Sequence, residues 1–256
     1  MPKLIDKDKF LDLSDYGRFF ATFISKASLH TWITPVHLTF LFALSGLVSI
    51  YFVWTNHFYL AAFFILLKSV LDAADGELAR MRNKPSYVGR YLDSIFDIIL
   101  NFLFILVFYW QSDNSLLTMI VAFFSLQVQG TLYNYYYVIL RNKSVGSDHT
   151  SQIFEFVAPR AYPGESQNRV DLLFRWYKIS YGVFDKIVYF LDPKASKATL
   201  FPSFFMTILS VYGLGFQLLI MAMFLVLNKM EWILPALIGL NILFFPLVLY
   251  RKSFIK

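Results

Sequence analysis

Six stretches of this chain are each about as long as the apolar helix that crosses a bilayer, roughly 20 residues. They lie near 37–56, 59–80, 88–110, 115–140, 203–227 and 232–250. The breaks between them carry turn-forming or polar residues: Thr55-Asn56-His57, Lys84-Pro85-Ser86, Ser112-Asp113-Asn114-Ser115 and Asn228 to Glu231. Composition excludes a water-soluble alternative: 57% of the 256 residues are apolar and only 16% are charged, where a soluble domain carries about 25% charged. The expected fold class is all-α, a polytopic membrane helix bundle of six transmembrane helices. Cysteine is absent, which excludes a disulfide scaffold, a thiolate-ligated metal and a thiol nucleophile. The first ten residues mix charged and apolar types and do not read as a secretory signal.

Charge is distributed unevenly about these stretches. Of the 23 Lys and Arg, 21 fall in 1–36, 80–90, 141–200 and 251–256, all on one side of a six-span layout. By the positive-inside rule that side is cytoplasmic, with both termini. The asymmetry accounts for the net charge of +6 without nucleic acid, and no basic stripe interleaved with aromatics is present. The expected organisation is an N-terminal cytoplasmic and interfacial segment, 1–36, followed by a six-span domain, 37–256, with a cytoplasmic insertion at 141–200. Within 1–36, Tyr16, Phe19, Phe20, Phe23 and Ile24 share one face of a helix that Ser14 would cap. In 168–191, Leu173, Trp176, Tyr177, Tyr181, Phe184, Val188 and Leu191 share another. Both read as amphipathic helices lying on the membrane surface.

Stretches two and three also carry acids, which are expensive in a membrane and usually mark function. Asp72 and Asp75 are three apart and share a helix face, continued by Gly76 and Ala79. Asp93 and Asp97 are four apart on the next helix, with Gly89 one turn before. A short turn at Pro85 would set the two helices antiparallel, so the four carboxylates can converge at one end. Four such neighbours cannot all stay ionised without cations, and Arg80 supplies only one charge. All-oxygen ligands favour Mg²⁺, Mn²⁺ or Ca²⁺, and two ions would suit a pyrophosphate. The small residues let a flat ligand approach the backbone, and the Arg80 fork suits phosphate. Salt bridging or a cation path would use the same acids, but few basic residues share their face.

These positions spell Asp-x2-Asp-Gly-x2-Ala-Arg-x8-Gly-x3-Asp-x3-Asp over 26 residues, from Asp72 to Asp97. The pattern resembles the signature of the CDP-alcohol phosphatidyltransferase family at every fixed position, a coincidence on the order of 10⁻¹⁰ per start site at background frequencies. The resemblance implies a membrane transferase of phospholipid biosynthesis that moves a substituted phosphate from a CDP-alcohol donor to an acceptor alcohol and releases CMP. It implies Asp72, Asp75, Asp93 and Asp97 as ligands of two divalent ions, Mg²⁺ or Mn²⁺, with Asp97 also the base. It implies Gly76, Ala79, Arg80 and Gly89 as contacts to the CDP moiety, and a homodimer. One departure stands out. The family's Pro-Asn-x-x-Thr is here Pro35-Val36-His37-Leu38-Thr39, so a polar contact is lost at Val36 or supplied by His37; an interfacial histidine at a helix start is the simpler reading.

Lys68 lies one turn before Asp72, and Asn101 one turn after Asp97. Gln127, Thr131, Asn134 and Arg141 share a face of the fourth stretch. Together they would line a polar cavity for a hydrophilic acceptor. Equally, Lys68 would pair with Asp72 and the polar face would bond to other helices. The polar run from Ser144 to Ser151 reads as a solvated loop. The favoured donor is CDP-diacylglycerol, with a soluble alcohol as acceptor. The alternatives are a CDP-choline or CDP-ethanolamine donor with diacylglycerol as acceptor, an aspartate-rich membrane prenyltransferase, and, without chemistry, a cation transporter with a carboxylate site. Bacterial inner membrane and eukaryotic endomembrane are both compatible with the sequence.

Overall fold

The structure, a computed structural model, describes residues 4–145, 155–198 and 201–255. Among these, every regular element is helical: α1 (Arg18–Ser28), α2 (Pro35–Trp54), α3 (Phe58–Met81), α4 (Tyr87–Trp110), α5 (Leu116–Val145), α6 (Gln167–Leu191), α7 (Ser203–Leu209), α8 (Leu214–Val226), α9 (Ile233–Gly239) and α10 (Phe244–Phe254). Most of the Ser144-to-Ser151 run, from 146 onward, lies outside the described residues.

Four helical stretches are long and apolar enough to cross a bilayer: Pro35–Trp54, Tyr87–Trp110, Leu116–Ser144 and Met230–Phe254. Ser203–Tyr212 and Leu214–Val226 meet at a 53° bend and together make a fifth. α3 has the length, 24 residues, but from Lys68 onward it carries Lys68, Asp72, Asp75, Glu77 and Arg80, which dilute its apolar character. All six expected stretches are therefore helical, whereas the 203–227 stretch is broken rather than straight. The break serves a purpose. The N-terminal segment crosses here, so close that a Cβ on Gly215 would lie 1.9 Å from the Ser14 carbonyl oxygen. The crossing is held by the Leu13 amide donating to Ser210 Oγ (2.9 Å) and by Tyr133 donating to Asp12 (2.6 Å).

Three helix ends share one device. Asn56, Asn83 and Asn228 adopt φ of 60°, 50° and 54°. Behind each, the next amide reaches back to the sixth residue: His57 to Phe52 (2.8 Å), Lys84 to Ala79 (3.1 Å) and Lys229 to Phe224 (2.8 Å). This is the Schellman cap, with asparagine in the left-handed position glycine usually takes. It stops α2, α3 and α8 and lets α3 return as α4. Small residues then allow close packing. Ser45 and Ser49 of α2 donate to the Phe64 and Ala61 carbonyls of α3 (2.8 and 2.7 Å). Gly46 leaves room for Leu100, which a Cβ there would meet at 2.8 Å.

The two surface helices differ in detail from expectation. Ser14 does not cap α1; it sits in a 3₁₀ turn, Leu13–Asp15, where it donates to Asp12 (2.6 Å), and α1 begins only at Arg18. Its exposed row is Phe19, Phe20 and Phe23, while Ala21, Ser25 and Ser28 are buried. In α6, Phe184 and Val188 of the expected face are buried, together with Val170 and Phe174, but Trp176 of that face is exposed. Trp176 belongs instead to an outward apolar row with Leu172, Ile179 and Val183. α6 thus has two apolar sides, one packed on the bundle and one free.

The bundle's last helix is tied to the chain just after α6 by a buried ion pair. Asp192 is wholly enclosed; Arg251 donates to it, Tyr136 donates to its carboxylate (2.8 Å) and Tyr135 to its carbonyl (2.9 Å). Removing one partner of such a pair strands the other charge and costs about 3–5 kcal/mol. Asp192→Ala is expected to lower the unfolding temperature in detergent well below that of an exposed control, Glu231→Ala. Equal melting of the two variants would mean the pair contributes nothing.

Candidate active site

The site is built where α3 ends and α4 begins. Ser86 caps α4, accepting from the Gly89 amide (2.8 Å). Glu165 reaches in from the chain before α6 and accepts from Ser86 Oγ (2.6 Å) and the amides of Tyr87 (3.2 Å) and Val88 (3.0 Å). Three of α4's free amides are thus satisfied and its first turn is fixed relative to α3. One oxygen each from Asp72, Asp75 and Asp93 then falls within 4.8 Å of the others. Asp75 is buried and accepts from Thr39 Oγ (2.6 Å), while Asp93 Oδ1 is buried with no hydrogen-bond partner among the described residues. Three convergent carboxylates, one with an unmet acceptor, fit a hard divalent cation bound through oxygen.

Asp97 stands apart from this triad. Lys68, with no exposed surface, donates to Asp97 Oδ1 and to Asp72 Oδ2 (3.0 Å). The four acids are therefore not equivalent: three face one another, and the fourth is held by an ammonium. Lys68 is enclosed against Phe42, 4.8 Å from the ring centre. The pairing with Asp72 is present, and with Asp97 as well.

The remaining signature positions lie along the same partly exposed surface. Gly76 presents a bare backbone, and a Cβ there would meet Arg80 Nη1 at 3.3 Å. Ala79 and Arg80 follow on α3, and Arg80 makes no ion pair among the described residues. Gly89 borders Val36, 3.7 Å from where its Cβ would lie. His37 closes the capping box of α2 with Thr34, accepting at Nδ1 from the Thr34 amide (3.0 Å), and packs edge-on to Trp32. It is a capping histidine. On α5, Gln127 and Thr131 are buried, each with an unpartnered polar atom, as is Asn101 on α4; Asn134 is exposed.

Sequence reasoning missed several contributors. Thr39 was visible only as a motif remnant, yet it orients Asp75. Glu165 caps from 79 residues away, and no local pattern announces that. Tyr181 of α6 donates to the Ser94 carbonyl (3.1 Å), placing the helix across α4 beside Asp93 and Asp97. Arg18 and Thr22 of α1 hold Glu77 from the other side (both 2.8 Å).

Among the described residues this geometry is that of an all-helical, apolar protein with three convergent carboxylates that could hold a metal ion. A family model for CDP-alcohol phosphatidyltransferase matches residues 32–160, just over half of the 256 residues, and the chain belongs to that family. Its members are divalent-metal-dependent transferases that take a phosphatidyl-type group from a CDP-alcohol. A comparison with curated proteins finds no match.

Two predictions follow the geometry. Thr39→Val removes the donor that orients Asp75 and is expected to weaken Mn²⁺ binding by about 10–100-fold, read by titration of the purified protein; unchanged affinity would show that Asp75 needs no such support. Asp185 of α6 tests how α6 is held. Burial and the nearby Glu155 charge push its carboxyl up to about 6, against the pull of Arg90. The folded state thus binds a proton that the unfolded chain releases near pH 4, so this contribution to stability is lost as pH rises through about 6. The wild-type protein is expected to lose more thermal stability than Asp185→Asn between pH 5 and 7.5. Parallel losses would contradict the assignment.

Proposed function

We propose that the protein transfers a phosphatidyl group from CDP-diacylglycerol to a small polar alcohol and releases CMP, as a step of phospholipid synthesis. The observation that carries the chemistry is the Asp72–Asp75–Asp93 triad beside a separately held Asp97. The acceptor hydroxyl oxygen bonds to the phosphorus that bears the diacylglycerol, the bond from that phosphorus to the CMP oxygen breaks, and the hydroxyl proton goes to Asp97. Lys68 occupies Oδ1 of Asp97, so Oδ2 takes the proton. Asp72, Asp75 and Asp93 would hold a divalent ion, Mg²⁺ or Mn²⁺, which neutralises diphosphate charge. The resemblance implies a second ion reaching Asp97. Arg80 binds a phosphate oxygen pair, and Gly76, Ala79 and Gly89 let the nucleotide lie against the backbone. The unpartnered buried atoms of Asn101, Gln127 and Thr131 favour a small polar alcohol over diacylglycerol, because they offer hydrogen bonds that acyl chains cannot use.

In this reading α3 and the bent α7–α8 pair complete six crossings. Residues 37–256 form one transferase domain with the 141–200 insertion. Both termini and the site face the cytoplasm, and the protein works in the bilayer as a homodimer. The test is CMP release with Mg²⁺ or Mn²⁺ in two arms: CDP-diacylglycerol with a panel of soluble alcohols, and CDP-choline or CDP-ethanolamine with diacylglycerol. Release in the first arm, lost by at least about 100-fold in Asp97→Asn, is expected. Release only in the second arm reverses the direction, and release in neither sinks the transferase reading.

A further inference from the structure

We propose that Lys68 stands in for one of the two cations the resemblance implies, so that each chain holds a single divalent ion, at Asp72, Asp75 and Asp93. This rests on the metal reading above. Lys68 Nζ lies between the first acid of α3 and the last acid of α4, donating to both Asp72 Oδ2 (3.0 Å) and Asp97 Oδ1. An ion shared by those two carboxylates would have to take the ammonium's place. Lys68 has no exposed surface and lies over the Phe42 ring. Asn101, one turn beyond Asp97 on α4, has a buried amide oxygen without a partner, but moving the ammonium to it would exchange two carboxylates for one neutral acceptor, and leaving the ammonium in place sets it against an incoming divalent ion.

The counter-charges divide accordingly. Among the described residues, Asp75 and Asp93 have no Lys or Arg at ion-pair distance, and Asp93 Oδ1 has no partner at all. Asp97 has Lys68 and is absent from the three-carboxylate group. Asp72 belongs to both sets, with one oxygen on Lys68. A tethered ammonium also keeps Asp97 oriented whether or not metal is bound, which a second exchangeable ion would not do.

The test counts ions without using activity. The purified full-length protein in detergent is titrated with Mn²⁺, and free and bound ion are read by electron paramagnetic resonance. The wild type is expected to saturate at one Mn²⁺ per chain with no spin-coupled pair signal. Lys68→Met, similar in length but uncharged, is expected to saturate at two and to show the coupled signal; Lys68→Arg should stay at one. Two ions, or a coupled pair, in the wild type would overturn the proposal whatever the variants do. So would a Lys68→Met that folds and still binds one. Should Lys68→Met fail to fold, the wild-type count and Lys68→Arg decide. No bound Mn²⁺ would overturn both this inference and the metal reading, whereas one bound Mn²⁺ with no CMP release would remove the transferase reading and leave this one standing.

Discussion

Holding four carboxylates at the end of two apolar helices is the constraint that the rest of the molecule answers. Each acid would be costly alone in a low-dielectric bundle. Lys68 answers for Asp97 and part of Asp72, and Thr39 for part of Asp75. Glu77, one residue beyond Gly76, turns to the other side of α3 and is met by Arg18 and Thr22 of α1. Of the four acids, Asp75 and Asp93 are left without a Lys or Arg among the described residues, and both belong to the three-carboxylate group that could hold a metal ion.

That arrangement depends on the register between α3 and α4, which the turn at 82–86 sets. Asn83 ends α3 in the left-handed conformation, Arg82 swings back to the Ser28 and Thr31 carbonyls at the end of α1 (2.6 and 2.9 Å), and Ser86 starts α4. A slip of one residue in α4 would rotate Asp93 by about 100° away from Asp72 and Asp75. The several caps crowded into five residues are proportionate to that sensitivity. Glu165 adds a restraint from a distant part of the chain, so the first turn of α4 cannot fray without pulling on the segment before α6.

The parts of this molecule that were legible in the sequence are those whose cause is local. Apolar length placed all six helical stretches, asparagine and proline marked their ends, and the spacing of Asp72, Asp75, Asp93 and Asp97 put each on a face. Contacts between distant residues were not legible, because no periodicity encodes them. Nothing near Glu165 shows that it caps α4, and nothing near Gly213 or Gly215 shows that Ser14 crosses there. Ser14 itself looked like a helix cap because serine commonly is one; Asp12 competes for the same turn and wins, with the stronger acceptor. Trp176 was misplaced for another reason. α6 is apolar on two sides, and a pattern with two faces does not say which one packs.

The family match runs over residues 32–160, yet the site is held on either side by chain outside that range. α1 grips α3 through Glu77 and the Ser25 hydroxyl on the Ala74 carbonyl (2.9 Å). α6 grips α4 through Tyr181 on the Ser94 carbonyl and through Phe174 packed on Tyr91. Ala74 and Ser94 each lie one residue from a triad acid, so both helices bear on the backbone that carries the ligands. Both also present exposed apolar rows outward, Phe19, Phe20 and Phe23 on α1 and Leu172, Trp176, Ile179 and Val183 on α6. Helices with that character rest where apolar and polar phases meet. The same two elements therefore bear on the two backbone segments from which the acids project, each with an apolar row left facing outward.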